Sequence, residues 1–291
     1  MALARRRPAS LPVLLTAFLY AATFLAGPAA ATGKTGNVFV FWGRNRDEGS
    51  LREACDTGRY TYTTVIISFL DVFGHGRYHL DLSGHDVSAV GADIKHCQSN
   101  GMSIFLSIGG FGGQYSLPTA RSAADVVDYL WNAYMLGTRK GVRRPFGDAY
   151  VDGINFFIEG AAGARTDNYD ELARRLWDYN KAYRGRTPVQ LRVERALATG
   201  LFNRIFVRFY DDPHCAAHLE QEWDRWAAAQ PHAQIYLGLP ASERKVGYVH
   251  PKNLHAVIPV VQKAANYGGV VIWERYEDKR TGYSPYAIQW A

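Results

Sequence analysis

The segment Asp152-Gly153-Ile154-Asn155-Phe156-Phe157-Ile158-Glu159 is a hydrophobic run with an acid at each end. A short apolar run of this kind reads as a buried strand. Glu159 then stands at its C-terminal end, where α/β barrels place their active sites. Residues two apart on a strand share a face, so Phe157 and Glu159 project together into the mouth of such a barrel. A carboxyl group placed there can serve as a general acid. A second apolar run ends in Ser107-Ile108-Gly109-Gly110. Ser107 has no nucleophile-elbow pattern around it. His214 adjoins Cys215, but no second pair stands at zinc-ligand spacing, so neither metal nor cofactor is expected.

The elements that must position these residues alternate. Candidate strands cover Asn37–Trp42, Thr63–Leu70, Ser103–Ile108, Tyr150–Ile158, Val189–Val193, Ile205–Tyr210, Gln234–Leu239 and Gly269–Trp273. Candidate helices cover Leu51–Thr57, Val87–Gln98, Ala123–Leu136, Tyr169–Tyr183, Arg195–Phe202, Ala216–Ala229 and Leu254–Ala265. Strands alternating with helices imply a parallel sheet with crossovers, and this number of strands in one chain matches a closed (β/α)8 TIM barrel of the α/β class. No glycine-rich phosphate turn supports an open doubly wound sheet, and no linker or repeat divides the chain. The segment from Tyr183 to Arg204 is crowded. It must hold a loop, strand five and a helix in about twenty residues, where an average repeat takes roughly thirty. A shortened strand-five region is expected.

The N-terminus sets the compartment. Arg5, Arg6 and Arg7 precede an apolar run from Leu11 to Leu25, and Gly27-Pro28-Ala29-Ala30-Ala31 supplies small residues for cleavage. This reads as a secretory signal peptide over residues 1–31, followed by one domain over 32–291, and no later segment is apolar enough to span a bilayer. Lys and Arg number 33 against 27 acids, a formal +6, and the three Arg of the leader reduce the remainder to +3. With no basic cluster on one element, nucleic acid is not an expected partner. Of three cysteines, Cys55 and Cys97 fall on neighbouring candidate helices that could bring them together, which leaves Cys215 over; three buried thiols is the alternative. No Asn-x-Ser/Thr sequon occurs.

The strand-three and strand-four segments together resemble the paired signatures of glycoside hydrolase family 18, Ser-x-Gly-Gly and Asp-Gly-x-Asp-x-Asp-x-Glu. The resemblance covers nearly the whole chain beyond the leader. Gly33-Lys34-Thr35-Gly36 and Phe41-Trp42-Gly43-Arg44-Asn45 look like the plant class III chitinase branch. Gly49–Cys55, Tyr78–Asp86, Pro145–Ala149, Arg195–Gly200 and His250-Pro251-Lys252-Asn253 are similar to its cereal xylanase inhibitor proteins.

The resemblance implies a defined chemistry. In the family a Glu protonates the glycosidic oxygen, the substrate acetamido oxygen attacks, and the Asp two residues earlier steadies the acetamido group, a departure from the two-carboxylate scheme. Glu159 matches the acid. Phe157 stands where that Asp belongs, Asn155 replaces the next Asp inward, and Asp152 begins the strand, away from the task. Phe cannot supply the lost electrostatic stabilisation, so Glu159 remains as a remnant acid without a competent catalytic set. An unpartnered Glu in an apolar pocket would also move toward its neutral form. Tyr210 and Trp273 match aromatics that line the sugar site. Relatives carry in the strand-five segment a Cys that pairs with the counterpart of Cys215.

The expected function is therefore inhibition of microbial xylanases in plant defence by a secreted, monomeric, chitinase-like protein. Family 11 xylanases would meet Lys181, Arg184 and Arg186, and family 10 xylanases would meet Lys252. Chitin or another oligosaccharide is a further possible ligand. A lectin-like barrel and a residual chitinase of low activity are the alternatives.

Overall fold

The computed structural model describes residues 33–58, 61–159, 168–183, 189–191, 197 and 199–291. The leader over 1–31 lies outside them. So do Arg184, Arg186, the last two residues of candidate strand five, and Arg195, Ala196 and Ala198 of the candidate helix over Arg195–Phe202; its described residues Thr199–Phe202 are not helical, which corrects the expected helix there.

The strands are β1 (Val38–Trp42), β2 (Thr64–Val72), β3 (His79–Leu80), β4 (Ser103–Gly110), β5 (Gly153–Ile158), β6 (Val189–Leu191), β7 (Arg204–Arg208), β8 (Gln234–Pro240) and β9 (Tyr267–Trp273). All but β3 pair in parallel, in the order β1-β2-β4-β5-β6-β7-β8-β9, and β1 also pairs with β9. That last pairing closes the ring, so the described strands form an eight-stranded parallel barrel. The short β3 folds back antiparallel on β2. For candidate strand five, the described residues are Val189–Leu191 of β6, and Gln190 stands opposite Arg204 of β7.

The helices are α1 (Leu51–Gly58), α2 (Val87–Ser99), α3 (Ala120–Tyr134), α4 (Tyr169–Ala182), α5 (Pro213–Ala217), α6 (Leu219–Ala229), α7 (Leu254–Val261), α8 (Arg275–Thr281) and α9 (Ser284–Trp290). Several differ from the sequence expectation. α7 ends at Val261, four residues short of the expected Ala265. α3 starts early because Thr119 caps it, accepting from Ser122 N–H at 3.1 Å. The stretch expected as one helix over Ala216–Ala229 is two, interrupted at His218, whose backbone is not helical. Asp212 starts α5 by accepting from the amides of His214 (3.0 Å) and Cys215 (3.1 Å). The C-terminal α8 and α9 were not anticipated. Their anchor is Asp278, a buried carboxylate that accepts from Ser284 N–H at 2.6 Å, from Ser284 Oγ at 2.7 Å and from the Tyr62 hydroxyl.

Strand alternation sorts the core into two layers. Val38, Val40 and Trp42 of β1 face the helices, where most aliphatic residues are buried. Phe39 and Phe41 face the barrel interior, together with Ile66, Phe69, Phe105, Phe157, Tyr210, Tyr236, Val271 and Trp273. Barrel interiors are usually filled by Val, Ile and Leu; this one is filled by rings.

Cys55 on α1 and Cys97 on α2 form a disulfide with a Cα separation of 5.5 Å. Cys215 stands outside it. The bridge closes a loop of 42 residues, for which loop-closure entropy gives about 3–4 kcal/mol. The Cys55→Ala, Cys97→Ala double variant should lose that much in urea unfolding, and a loss under 1 kcal/mol would refute the entropic role.

Candidate functional site

Strands β1, β2, β5, β7 and β9 build the centre of the barrel mouth. Asp152, at the start of β5, accepts from Ile104 N–H (2.8 Å) and from Gln98 Nε2 (3.0 Å). It ties β5 to its neighbour at the end remote from the mouth. Two residues into the strand, Asn155 Oδ1 accepts from Ser107 Oγ at 2.7 Å, and both residues are buried. The polar position below the mouth is thus satisfied within the barrel.

Phe157 follows on the same face and is 9% exposed. Its ring lies 5.0 Å from Phe69, 5.3 Å from Phe111, 5.7 Å from Trp273 and 5.8 Å from Phe41, centroid to centroid. These separations are those of attractive aromatic pairs. Trp273, at the end of β9, is 8% exposed and runs nearly parallel to Phe69 and to Tyr210. Tyr210 is 4% exposed. The two expected sugar-lining aromatics therefore come together, but as members of a packed cluster.

Glu159 completes the sequence motif. Its backbone N–H donates to the Tyr115 hydroxyl at 3.0 Å, and that hydroxyl lies 2.8 Å from the Gly110 carbonyl. Its carboxylate pairs with the guanidinium of Arg208, at the end of β7. The expectation of an unpartnered Glu159 in an apolar pocket is thereby corrected: the pocket supplies a cation. Arg208 also lies 5.6 Å from the Tyr210 ring. A carboxylate engaged by a guanidinium is poorly placed to protonate a glycosidic oxygen. The cavity left between Phe41, Asn155, Phe157, Phe206, Arg208 and Tyr210 is about 30 Å³. That is room for one or two waters and not for a sugar ring.

The family profile described as Glycosyl hydrolases family 18 matches residues 37–236. The chain belongs to glycosyl hydrolase family 18. It is 54% identical to Xylanase inhibitor protein 1 of Oryza sativa subsp. japonica, over 96% of this chain and 97% of that protein. It is 53% identical to Xylanase inhibitor protein 1 of Triticum aestivum, over 97% of each. Among solved structures it resembles the xylanase and alpha-amylase inhibitor protein of Scadoxus multiflorus, with a TM-score of 0.80 and 31% identity over 88% of this chain and 98% of that one.

Within this family 18 barrel, sequence reasoning missed two residues of the mouth. Arg208 has a signal in the alternation Arg204-x-Phe206-x-Arg208, which puts Arg on the inner face of a strand, where a carboxylate is the natural partner. Phe111 follows Gly109-Gly110 and is 57% exposed, edge-on to Trp273 at 5.6 Å. A large aromatic inside a glycine-rich turn was the available sign.

The basic residues singled out for partner contact lie elsewhere. Lys181, at the end of α4, is exposed and pairs with Asp178 at 3.3 Å. Lys252 is exposed on a separate 3-10 turn over Pro251–Asn253, and it makes no ion pair with another described residue. The two lie on different elements, as two separable contacts require.

Beside the aromatic cluster, an open groove of about 410 Å³ is lined by Asp211, Lys245, Trp273, Glu274 and Glu277. Glu274 caps α8, accepting from the amides of Tyr276 (3.1 Å) and Glu277 (3.3 Å). Burial, then the charge of buried Glu48, push the Glu274 carboxyl up to about 7.

Two outcomes follow from these groups. Arg208→Met strands the Glu159 carboxylate and should cost about 2–3 kcal/mol in urea unfolding. Adding Glu159→Gln should recover about 1 kcal/mol or more, and strictly additive losses would show that the pair is not coupled. Glu274 binds its proton more tightly folded than unfolded, so its stabilisation is complete below pH 4.5 and is lost as pH rises through about 7. The size is about 3 kcal/mol. Melting temperature should therefore fall between pH 5 and pH 8 in the parent and fall clearly less in Glu274→Gln; identical slopes would remove the assignment.

Proposed function

We propose that this chain is a secreted, monomeric, non-catalytic family 18 protein that inhibits microbial xylanases, with the leader over residues 1–31 removed on export. The observation that carries the reading is the filled barrel mouth. Phe157 occupies the centre and Arg208 holds Glu159, so no sugar ring fits between Phe157 and Glu159 at the position the family chemistry needs. The names of the rice and wheat relatives point the same way.

The inhibitory chemistry would reside in cations on the outer surface. Retaining glycosidases carry two catalytic carboxylates about 5 Å apart. A projecting ammonium or guanidinium can reach between them and form charge-assisted hydrogen bonds. Lys252 is the candidate for the family 10 cleft. Lys181, with Arg184 and Arg186, is the candidate for the family 11 cleft; Arg184 is favoured there because its guanidinium can hold two oxygens.

The test combines three assays on the mature protein. It should inhibit family 10 and family 11 fungal xylanases at micromolar concentration or below, and it should not turn over chitin oligomers. Lys252→Ala should lose about 2 kcal/mol of binding to the family 10 enzyme alone. Arg184→Ala should weaken only the family 11 contact. Wild-type potency in both variants would reject the cation mechanism, and chitin turnover abolished by Glu159→Gln would reject the non-catalytic reading.

A further inference from the structure

Lys252 sits in a single 3-10 turn between the loop after β8 and α7. Such a turn has few hydrogen bonds of its own. A cation on a loose turn would lose conformational freedom on binding, and that loss subtracts from affinity. Here the backbone of Lys252 is held from both sides by imidazoles. Its N–H donates to His250 Nδ1 at 3.2 Å, and its carbonyl accepts from His255 Nδ1 at 2.6 Å. Asn253 N–H donates to the His250 carbonyl at 2.7 Å, and Pro251 fixes the first turn residue. Each imidazole is backed by another ring. His250 lies edge-on to Tyr248, which packs against Tyr283. His255 lies 6.1 Å from Trp290, whose ring also carries Lys34 Nζ at 5.0 Å.

The two histidines need opposite tautomers. His250 must leave Nδ1 bare to accept, whereas His255 must carry a hydrogen on Nδ1 to donate. A second proton on His255 leaves its bond intact. A proton on His250 puts a hydrogen on Nδ1, so two N–H groups face each other and the cap is lost. Among the described residues, Tyr248, Tyr283, His255 and Lys252 itself are set around this turn, with Glu243 and Arg280 beside Tyr248 and Lys34 over Trp290. Imidazole is the side chain that changes charge between pH 5 and 8.

We infer that His250 and His255 are positioning residues that fix the Lys252 turn for insertion into a xylanase cleft, and that protonation of His250 unlocks it. This rests on the reading of Lys252 as the family 10 contact.

Inhibition constants against a family 10 xylanase active from pH 5 to 8 test the functional half. The parent should weaken roughly fivefold toward pH 5, the scale of one lost helix cap, while family 11 inhibition stays level. His250→Ala should be weak at every pH. His250→Asn should restore potency without the pH dependence, since an amide oxygen caps and does not titrate. Amide hydrogen exchange over residues 248–258 of the inhibitor alone tests the clamp itself. After correction for intrinsic rates, Lys252 and Asn253 should lose protection at pH 5 in the parent and keep it in His250→Asn. Parent-like inhibition and protection in His250→Ala would overturn the inference with the Lys252 contact intact. If Lys252→Ala inhibits as the parent does, the contact reading fails, and exchange alone then decides the clamp: unchanged protection in His250→Ala overturns that as well.

Discussion

The interior of a closed eight-stranded barrel has a nearly fixed cross-section, wide enough for side chains and little else. What occupies that space decides what the molecule can do. Here it is taken by rings: Phe39, Phe105 and Tyr236 lower down, then Phe41, Phe69, Phe157 and Trp273 toward the mouth. Each ring is held by several neighbours, so Phe157 is not a local replacement that the rest tolerates. It is in contact with Phe41, Phe69, Phe111 and Trp273. A carboxylate at position 157 would have to be hydrated or paired in an apolar cage, at a cost of several kcal/mol.

The polar groups of the interior obey the same limit, since each is buried with a partner or beside one. Asn155 takes the Ser107 hydroxyl, Arg208 takes Glu159, and Arg204 lies over the faces of Phe39 and Phe105. Glu274 is the exception that shows the rule. It adjoins buried Glu48, whose Oε2 bonds to no described residue, and its proton affinity rises in consequence. At Glu159, aromatic filling and charge pairing thus act together: the rings exclude water, and Arg208 supplies the counter-charge.

The fold was legible in the sequence because strands and helices alternate along the chain with strong apolar periodicity. The crowded stretch before Arg204 lies partly outside the described residues. The disulfide followed from two cysteines on neighbouring helices. Element ends were less legible, because caps such as Thr119 and breaks such as His218 act through single hydrogen bonds or single dihedrals. At the site, the identities of Asn155, Phe157 and Glu159 were readable as a departure from a motif, but their partners were not. Arg208 and Phe111 come from strands and loops far away in sequence, and only barrel closure brings them to Glu159 and Trp273.

A filled barrel is a liability for a hydrolase and an advantage for a scaffold. Catalysis needs a mouth open enough to admit and distort a sugar, and such openness leaves strained or poorly packed residues at the centre. A protein that acts through its exterior has no such need. Closing the mouth with rings gains apolar burial and aromatic contacts, and the barrel then serves as a stiff frame for short turns on its rim. The Lys252 turn shows how that stiffness is passed outward: α7 supplies His255, α9 supplies the Trp290 ring behind it, and Tyr283 braces the Tyr248 side of His250. The two regions are ordered by different layers: the inner rings fill the mouth, whereas Tyr283, Tyr248 and Trp290 of the outer layer brace the Lys252 turn.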